Sequence, residues 1–180
     1  FSKEIKMIIQ DLKDTANSIE CAGIASNQIS YNKRIFIGLS DSEKKIFKIY
    51  INPRIINADE KYIKQAYKNE SDHWQGNERH KHSTEACLSF PGASMSFPRY
   101  DKIEVEYMDE EGEIIIEKLE GYISQIFQHE TDHLDGKTVA ERLLHTLSQN
   151  SGTILPFIDN LDAEEEEFEK RYRINRVRFV

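Results

Sequence analysis

Residues 128–133 read Gln128-His129-Glu130-Thr131-Asp132-His133, a set that could do metal chemistry. On a helix, residues i and i+4 lie about one turn apart on the same face. His129 and His133 can then present ring nitrogens to one divalent ion. Glu130, beside the first of them, can reach a water on that ion and take its proton. The bland alternative is two surface histidines on a helix. Ile123, Ile126, Phe127 and Leu134 argue against it, because they make the helix partly buried and buried histidines need partners.

The spacing leaves the third ligand open. Downstream stand Glu141, His145 and the acidic run from Glu164, none of them in the Gly-turn pattern of the metzincin proteases. Upstream, Cys87 stands in Glu85-Ala86-Cys87-Leu88-Ser89-Phe90-Pro91-Gly92, read as a short loop closed by Pro-Gly. A thiolate there would complete a Cys-His-His site with an open fourth position. An ordinary buried thiol is the alternative for an isolated cysteine.

The elements that must position these groups are partly legible. Ile5, Ile8, Ile9, Leu12, Ala16 and Ile19 follow helical spacing and predict a helix from Lys3 to Ile19. Cys21 to Gln28 is a small-residue segment that lets backbone come close to a ligand or a strand. Arg34 to Leu39 and Lys45 to Ile51 read as strands, the second ended by Asn52-Pro53; Ile55 to Tyr67 is expected to be strand-rich. Asn69 to Thr84, with His73, Trp74, His80 and His82, reads as an exposed polar loop without a second metal site. Lys102 to Met108 alternates as a strand, Asp109 to Gly112 turns, and Glu113 to Leu119 returns. The motif helix runs from Gly121 to Leu134, with Gly136 as a left-handed cap. Acidic residues at 162–167 and basic ones at 170–178 would begin and end a last helix, and the stretch from Ile174 to Val180 alternates.

The 180 residues fit a single domain, 1–180, with 149–180 as an extension of unassigned role. Charged residues make up 31% and hydrophobic ones 38%, as in a soluble globular protein. The net charge of −8 disfavours non-specific binding to nucleic acid or anionic membrane, and there is no specific nucleic-acid motif. No apolar run approaches the roughly 18 residues that span a membrane. Residues 1–10 lack a signal-peptide pattern, although the numbering does not begin with Met and leaves room for preceding sequence. Two cysteines, Cys21 and Cys87, make no disulfide framework and suit a reducing, cytosolic setting.

Three segments together resemble the peptide deformylase family. Cys21-Ala22-Gly23-Ile24-Ala25-Ser26-Asn27-Gln28 is similar to its Gly-x-Gly-Leu-Ala-Ala-x-Gln. Glu85-Ala86-Cys87-Leu88-Ser89 resembles Glu-Gly-Cys-Leu-Ser, and Gln128 to Gly136 resembles Gln-His-Glu-x-Asp-His-Leu-x-Gly. Order and separations match from Lys3 to about Leu144. The resemblance implies an α+β fold with small antiparallel sheets around a central metal-binding helix. It implies an enzyme that removes the N-formyl group from the formyl-methionine of newly made polypeptides, in a bacterial cytoplasm or an organelle. Its partners would be formylated nascent peptides, met at the ribosome.

Carried over, Cys87, His129 and His133 would hold one divalent ion, iron(II) in the cell, with nickel, cobalt or zinc as substitutes. Glu130 would be general base and then acid. Gln28 and the backbone N–H of Leu88 would face the developing oxyanion. Gln128, Asp132 and a Glu85–Arg99 ion pair would steady the ligands. Ala22 and Gly23 would lie along the substrate main chain, and Tyr122, Gln125 and Ile126, counted back from His129, would form the side-chain pocket. Cys21, Ala86 and Gln125 depart from the family pattern. They motivate a second hypothesis, a metal protein that holds N-termini without turnover. A third, a zinc endopeptidase, needs a downstream ligand and leaves Cys87 dispensable.

Overall fold

The structure is a computed structural model and describes residues 1–41, 43–58 and 82–142. Helix α1 (Lys3–Ser18) opens with the Ser2 side chain accepting the Ile5 N–H at 3.3 Å. Its Ile8, Ile9, Leu12 and Ala16 are buried, the stripe the sequence period predicts. Ile19 is the extended cap rather than the last helical residue.

Five antiparallel strands form the main sheet: β1 (Gly23–Ala25), β2 (Ile35–Asp41), β3 (Ile46–Ala58), β6 (Lys102–Met108) and β7 (Ile114–Glu120), in the order β1-β2-β3-β6-β7. A two-stranded sheet pairs β4 (His82–Cys87) with β5 (Phe90–Pro98). Helix α2 (Gly121–Leu134) follows β7 directly.

Strand β3 does not stop at Asn52-Pro53, as the sequence suggests. Pairing with β6 slips there, from Ile51 opposite Met108 to Arg54 opposite Glu106. Asn52 takes a positive φ of 50° and gives its N–H to Arg34 O at 2.8 Å. The bulge leaves Pro53 where no ladder N–H is needed, so the strand continues past it. The polar loop ends earlier than the sequence suggests, because residues 82–84 pair with β5 as strand. Most of that loop, residues 59–67 of the expected strand-rich stretch, and the segment 149–180 lie outside the described residues.

Alternation along β2 seats a helix on each face of the sheet. Ile35 and Ile37 join Ile8, Leu12 and Ile49 under α1. Phe36, between them, points the other way, into Tyr50, Val105, Tyr107 and Phe127. Phe127 of α2 meets the Phe36 and Tyr50 rings edge-on, with centroids 5.3 Å away in each case. Gly38 lets α2 come close: a Cβ there would lie 3.1 Å from Ile126 Cγ2. Among the described residues no helix is long and apolar enough to cross a membrane.

Candidate active site

The apolar face of α2 is committed to the sheet, which aims its opposite face at β4 and the chain near Arg99. The helix ends on Gly136 at φ 71°, whose N–H bonds His133 O at 3.0 Å while Lys137 N–H bonds Asp132 O at 2.8 Å. This left-handed cap sits where the sequence places it and stops the helix soon after His133. Asn27, from the turn after β1, donates its Nδ2–H to His133 O at 2.5 Å.

Cys87 is not in a loop closed by Pro-Gly. It is the last residue of β4, and the turn is Leu88-Ser89. Pairing jumps from Ala86 opposite Ser94 to Cys87 opposite Phe90. Pro91, Gly92 and Ala93, with Gly92 at φ 85°, fill that irregularity inside β5. The jump turns the Cys87 side chain onto α2.

There the three donors converge. Cys87 Sγ lies 3.1 Å from His133 Nε2, which lies 3.2 Å from His129 Nε2. Among the described residues these are the one group of three or more metal-type side chains with ligand atoms within 4.8 Å of one another. Tetrahedral ligands at about 2.0–2.3 Å from an ion stand roughly 3.3–3.8 Å from each other, close to this spacing. His129 has its Nδ1 against Glu85 Oε2 at 2.8 Å, which leaves Nε2 for the ion. Of the downstream candidates, Glu141 is occupied in binding Thr138 N–H at 2.8 Å, and His145 and Glu164 lie outside the described residues.

The electrostatics couple the same side chains into one charged cluster. Burial pushes the Cys87 thiol up, but bonds to His129 and His133 outweigh it and bring it down to about 5. A thiolate is the ligating form. Burial alone would lower His129, yet Cys87 and Glu85 hold it well above the usual histidine range. Glu85 is depressed to about 2: burial opposes this, and Arg99 and His129 overcome it. Burial raises Glu130 to about 7, against the pull of both histidines. A base poised near neutrality suits proton transfer at physiological pH.

Glu130 is 3% exposed, and its Oε2 has no hydrogen-bond partner among the described residues. A buried, unpaired carboxylate oxygen beside three convergent donors fits a site that takes an ion and its water. Gly23 explains the small-residue segment: a Cβ there would lie 2.6 Å from Glu130 Oε1. Backbone of β1 therefore packs directly on the carboxylate.

A cleft of about 500 Å³ opens over the donors. Ala22, Gly23 and Gln28 line one side, Tyr122, Gln125 and Ile126 another, and Leu88 the rim. Gln28 Oε1 accepts the Ala25 N–H at 2.8 Å, and its Nε2 donates to Ser89 Oγ at 3.2 Å across the cleft. Cys21 borders the cleft half-buried and also packs on the α1 core. Neither Cys21 nor Ala86 has a positive φ, so their β-carbons meet no backbone strain.

Beneath the donors lies a hydrogen-bonded polar layer. Arg99 gives Nε and Nη2 to Glu85 at 2.7 and 2.9 Å, and Nη1 to Asp132 Oδ2 at 2.5 Å. Gln128 ties α2 to Tyr100, accepting its N–H at 3.0 Å and donating to its O at 2.8 Å. Asn27, Ser89, Tyr100 and Arg142 escaped the sequence reading. All but Arg142 have partners distant in the chain, and only Asn27 and Ser89 carried a signal, by falling inside the quoted motifs.

A His-Glu-x-x-His helix joined by a cysteine, on an antiparallel α+β fold, defines a metal-dependent hydrolase. Comparison with known proteins narrows this: the profile of the polypeptide deformylase family matches residues 1–149, and the chain belongs to that family. The peptide deformylase of Aquifex aeolicus is 36% identical over 145 residues, covering 78% of this chain and 74% of its own. That of Thermus thermophilus is 34% identical over 153 residues, covering 77% and 70%. Among solved structures, the Thermotoga maritima peptide deformylase superposes with a TM-score of 0.62 at 28% identity, covering 78% of this chain and 82% of its own. The crystal structure of a Thermus thermophilus peptide deformylase gives 0.61 at 29% identity, covering 88% and 86%.

Proposed function

We propose that this protein hydrolyses the N-formyl group from the formyl-methionine that begins newly made polypeptides. The observation that carries this is the convergence of Cys87 Sγ with both histidine Nε2 atoms beside the buried Glu130. An ion held by those three donors lowers the pKa of water and polarises a carbonyl. Iron(II) is the proposed occupant in the cell, with nickel, cobalt or zinc as substitutes, since thiolate and imidazole accept all four.

Glu130 takes the proton of the attacking water and returns it to the departing amine nitrogen as the C–N bond breaks. The products are formate and a free N-terminus. Negative charge on the formyl oxygen is met by the Gln28 amide N–H and the Leu88 backbone N–H. β1 stands at the end of the sheet, so an extended substrate can pair along Ala22 and Gly23. Its first side chain enters between Tyr122, Gln125 and Ile126, a pocket that Gln125 makes partly polar. Glu85, Arg99, Asp132 and Gln128 hold the ligands. The substrates are formylated nascent peptides, at the ribosome, in a bacterial cytoplasm or an organelle.

The test is formate release from formyl-Met-Ala-Ser by anaerobically purified, metal-loaded protein beside Glu130→Ala. The wild type should turn over, and loss of the base should cost at least ~10²–10⁴-fold in kcat. Binding of the peptide without formate release would favour the binding-protein reading instead.

A further inference from the structure

A chain of charge runs from the first histidine through buried Glu85, Arg99 and Asp132 to Arg142, whose side chain is 41% exposed. His129 Nδ1 meets Glu85, Glu85 takes two bonds from Arg99, and Arg99 reaches Asp132. Arg142 completes the series: its Nε donates to Asp132 Oδ2 at 2.7 Å and its Nη2 to Asp132 Oδ1. Arg142 reaches this point from a separate helical turn at 139–142. That turn is fixed reciprocally, with Thr138 Oγ1 accepting the Glu141 N–H at 3.2 Å and Glu141 Oε2 accepting the Thr138 N–H at 2.8 Å.

The geometry divides the work between two guanidinium groups. Arg142 binds both oxygens of Asp132 and shares Oδ2 with Arg99 Nη1, so the carboxylate is held between the two guanidinium groups. Arg99 then keeps Nε and Nη2 on Glu85 as a fixed fork. Glu85, so held, fixes the plane of His129 through Nδ1 and aims Nε2 at the other two donors. A Glu85–Arg99 pair without Arg142 would let Arg99 follow Asp132 with α2.

We propose that Arg142 is a positioning residue for the metal centre, acting through Asp132, Arg99 and Glu85 on the orientation of His129. The proposal rests on the reading of Cys87, His129 and His133 as metal donors. Residues 139–142 are therefore part of the machinery of the site.

The test uses the full chain with cobalt(II). Affinity is measured by chelator competition, and the thiolate-to-cobalt and ligand-field absorption is recorded for wild type, Arg142→Ala, Arg142→Lys and the surface control Arg54→Ala. Removal of partners beyond the ligands typically lowers metal affinity about 10–100-fold. Arg142→Ala is expected to fall in that range with a shifted ligand-field spectrum, and to lower kcat with KM for the formyl peptide unchanged. Arg142→Lys should recover part of the affinity, and it keeps the test alive if the alanine variant fails to fold. Wild-type affinity and spectrum in Arg142→Ala, with only a lower melting temperature, would overturn the proposal. So would an equal loss in Arg54→Ala. A wild type that binds no cobalt through its thiolate would overturn the donor assignment as well.

Discussion

Arg99–Glu85 and Arg54–Glu106 are the same chemical pair at nearly the same distance, 2.7 and 2.6 Å, and they serve different ends. Arg99 is 5% exposed, beneath Cys87, His129 and His133; Arg54 is 64% exposed, on the outer face of β3. The surface pair is screened by water and salt and contributes little. The buried group has lost its hydration, and that cost is offset only because every charge has a partner. Such a network is a weak source of net stability and a strong source of fixed geometry. It lies where geometry is needed, between His129 and the rest of the fold, while the sheet face of β3, β6 and β7 carries pairs that position nothing.

The contrast can be broken at its buried end first. Glu85→Gln leaves Arg99 partly uncompensated, and about 3–5 kcal/mol of stability should be lost in denaturant unfolding. The same carboxylate predicts a pH limb. Its folded pKa lies below the 4.5 of the free group, so its contribution is complete above that value and disappears as pH falls from 4.5 toward about 2. The limb is worth on the order of 3 kcal/mol and should flatten in Glu85→Gln. An unchanged acid limb would place the stabilising charge elsewhere.

Gly23→Ala sharpens the contrast within the site, because it changes packing without touching charge. The added methyl would push on Glu130 Oε1 from 2.6 Å. A displacement of that kind should lower kcat by roughly 10–100-fold with the fold kept, measured by steady-state kinetics beside circular dichroism. The smallest effect is expected at the exposed end. Arg54→Ala should leave the melting temperature and turnover unchanged within error, and a clear loss of either would erase the distinction drawn between the two pairs.

What could be read from sequence follows the range of the interaction. The His129–His133 pair, the extent of α2 and its Gly136 cap depend on residues within a few turns, and all stood out in the chain. So did the alternation of β6 and its return in β7. Cys87 could be chosen among several candidates only through family motifs, because its contact with His133 spans 46 residues. Asn27 stood inside a motif, but its partner lies 106 residues away, and the partner of Arg142, 10 residues back, is reached only because the helix stops between them. Pro53 misled for the opposite reason. Its local rule is sound, and a bulge at Asn52 removes the conflict that the rule anticipates.

The central claim is that Cys87, His129 and His133 act as one donor set in formyl-peptide hydrolysis. It is tested most directly by formate release from formyl-Met-Ala-Ser, measured on wild type and Cys87→Ala after each is given one equivalent of iron(II) or cobalt(II) without oxygen. Turnover by the wild type and its loss in Cys87→Ala, together with loss of the bound ion on dialysis, is the expected result. Wild-type turnover surviving in Cys87→Ala, with the ion retained, would contradict it.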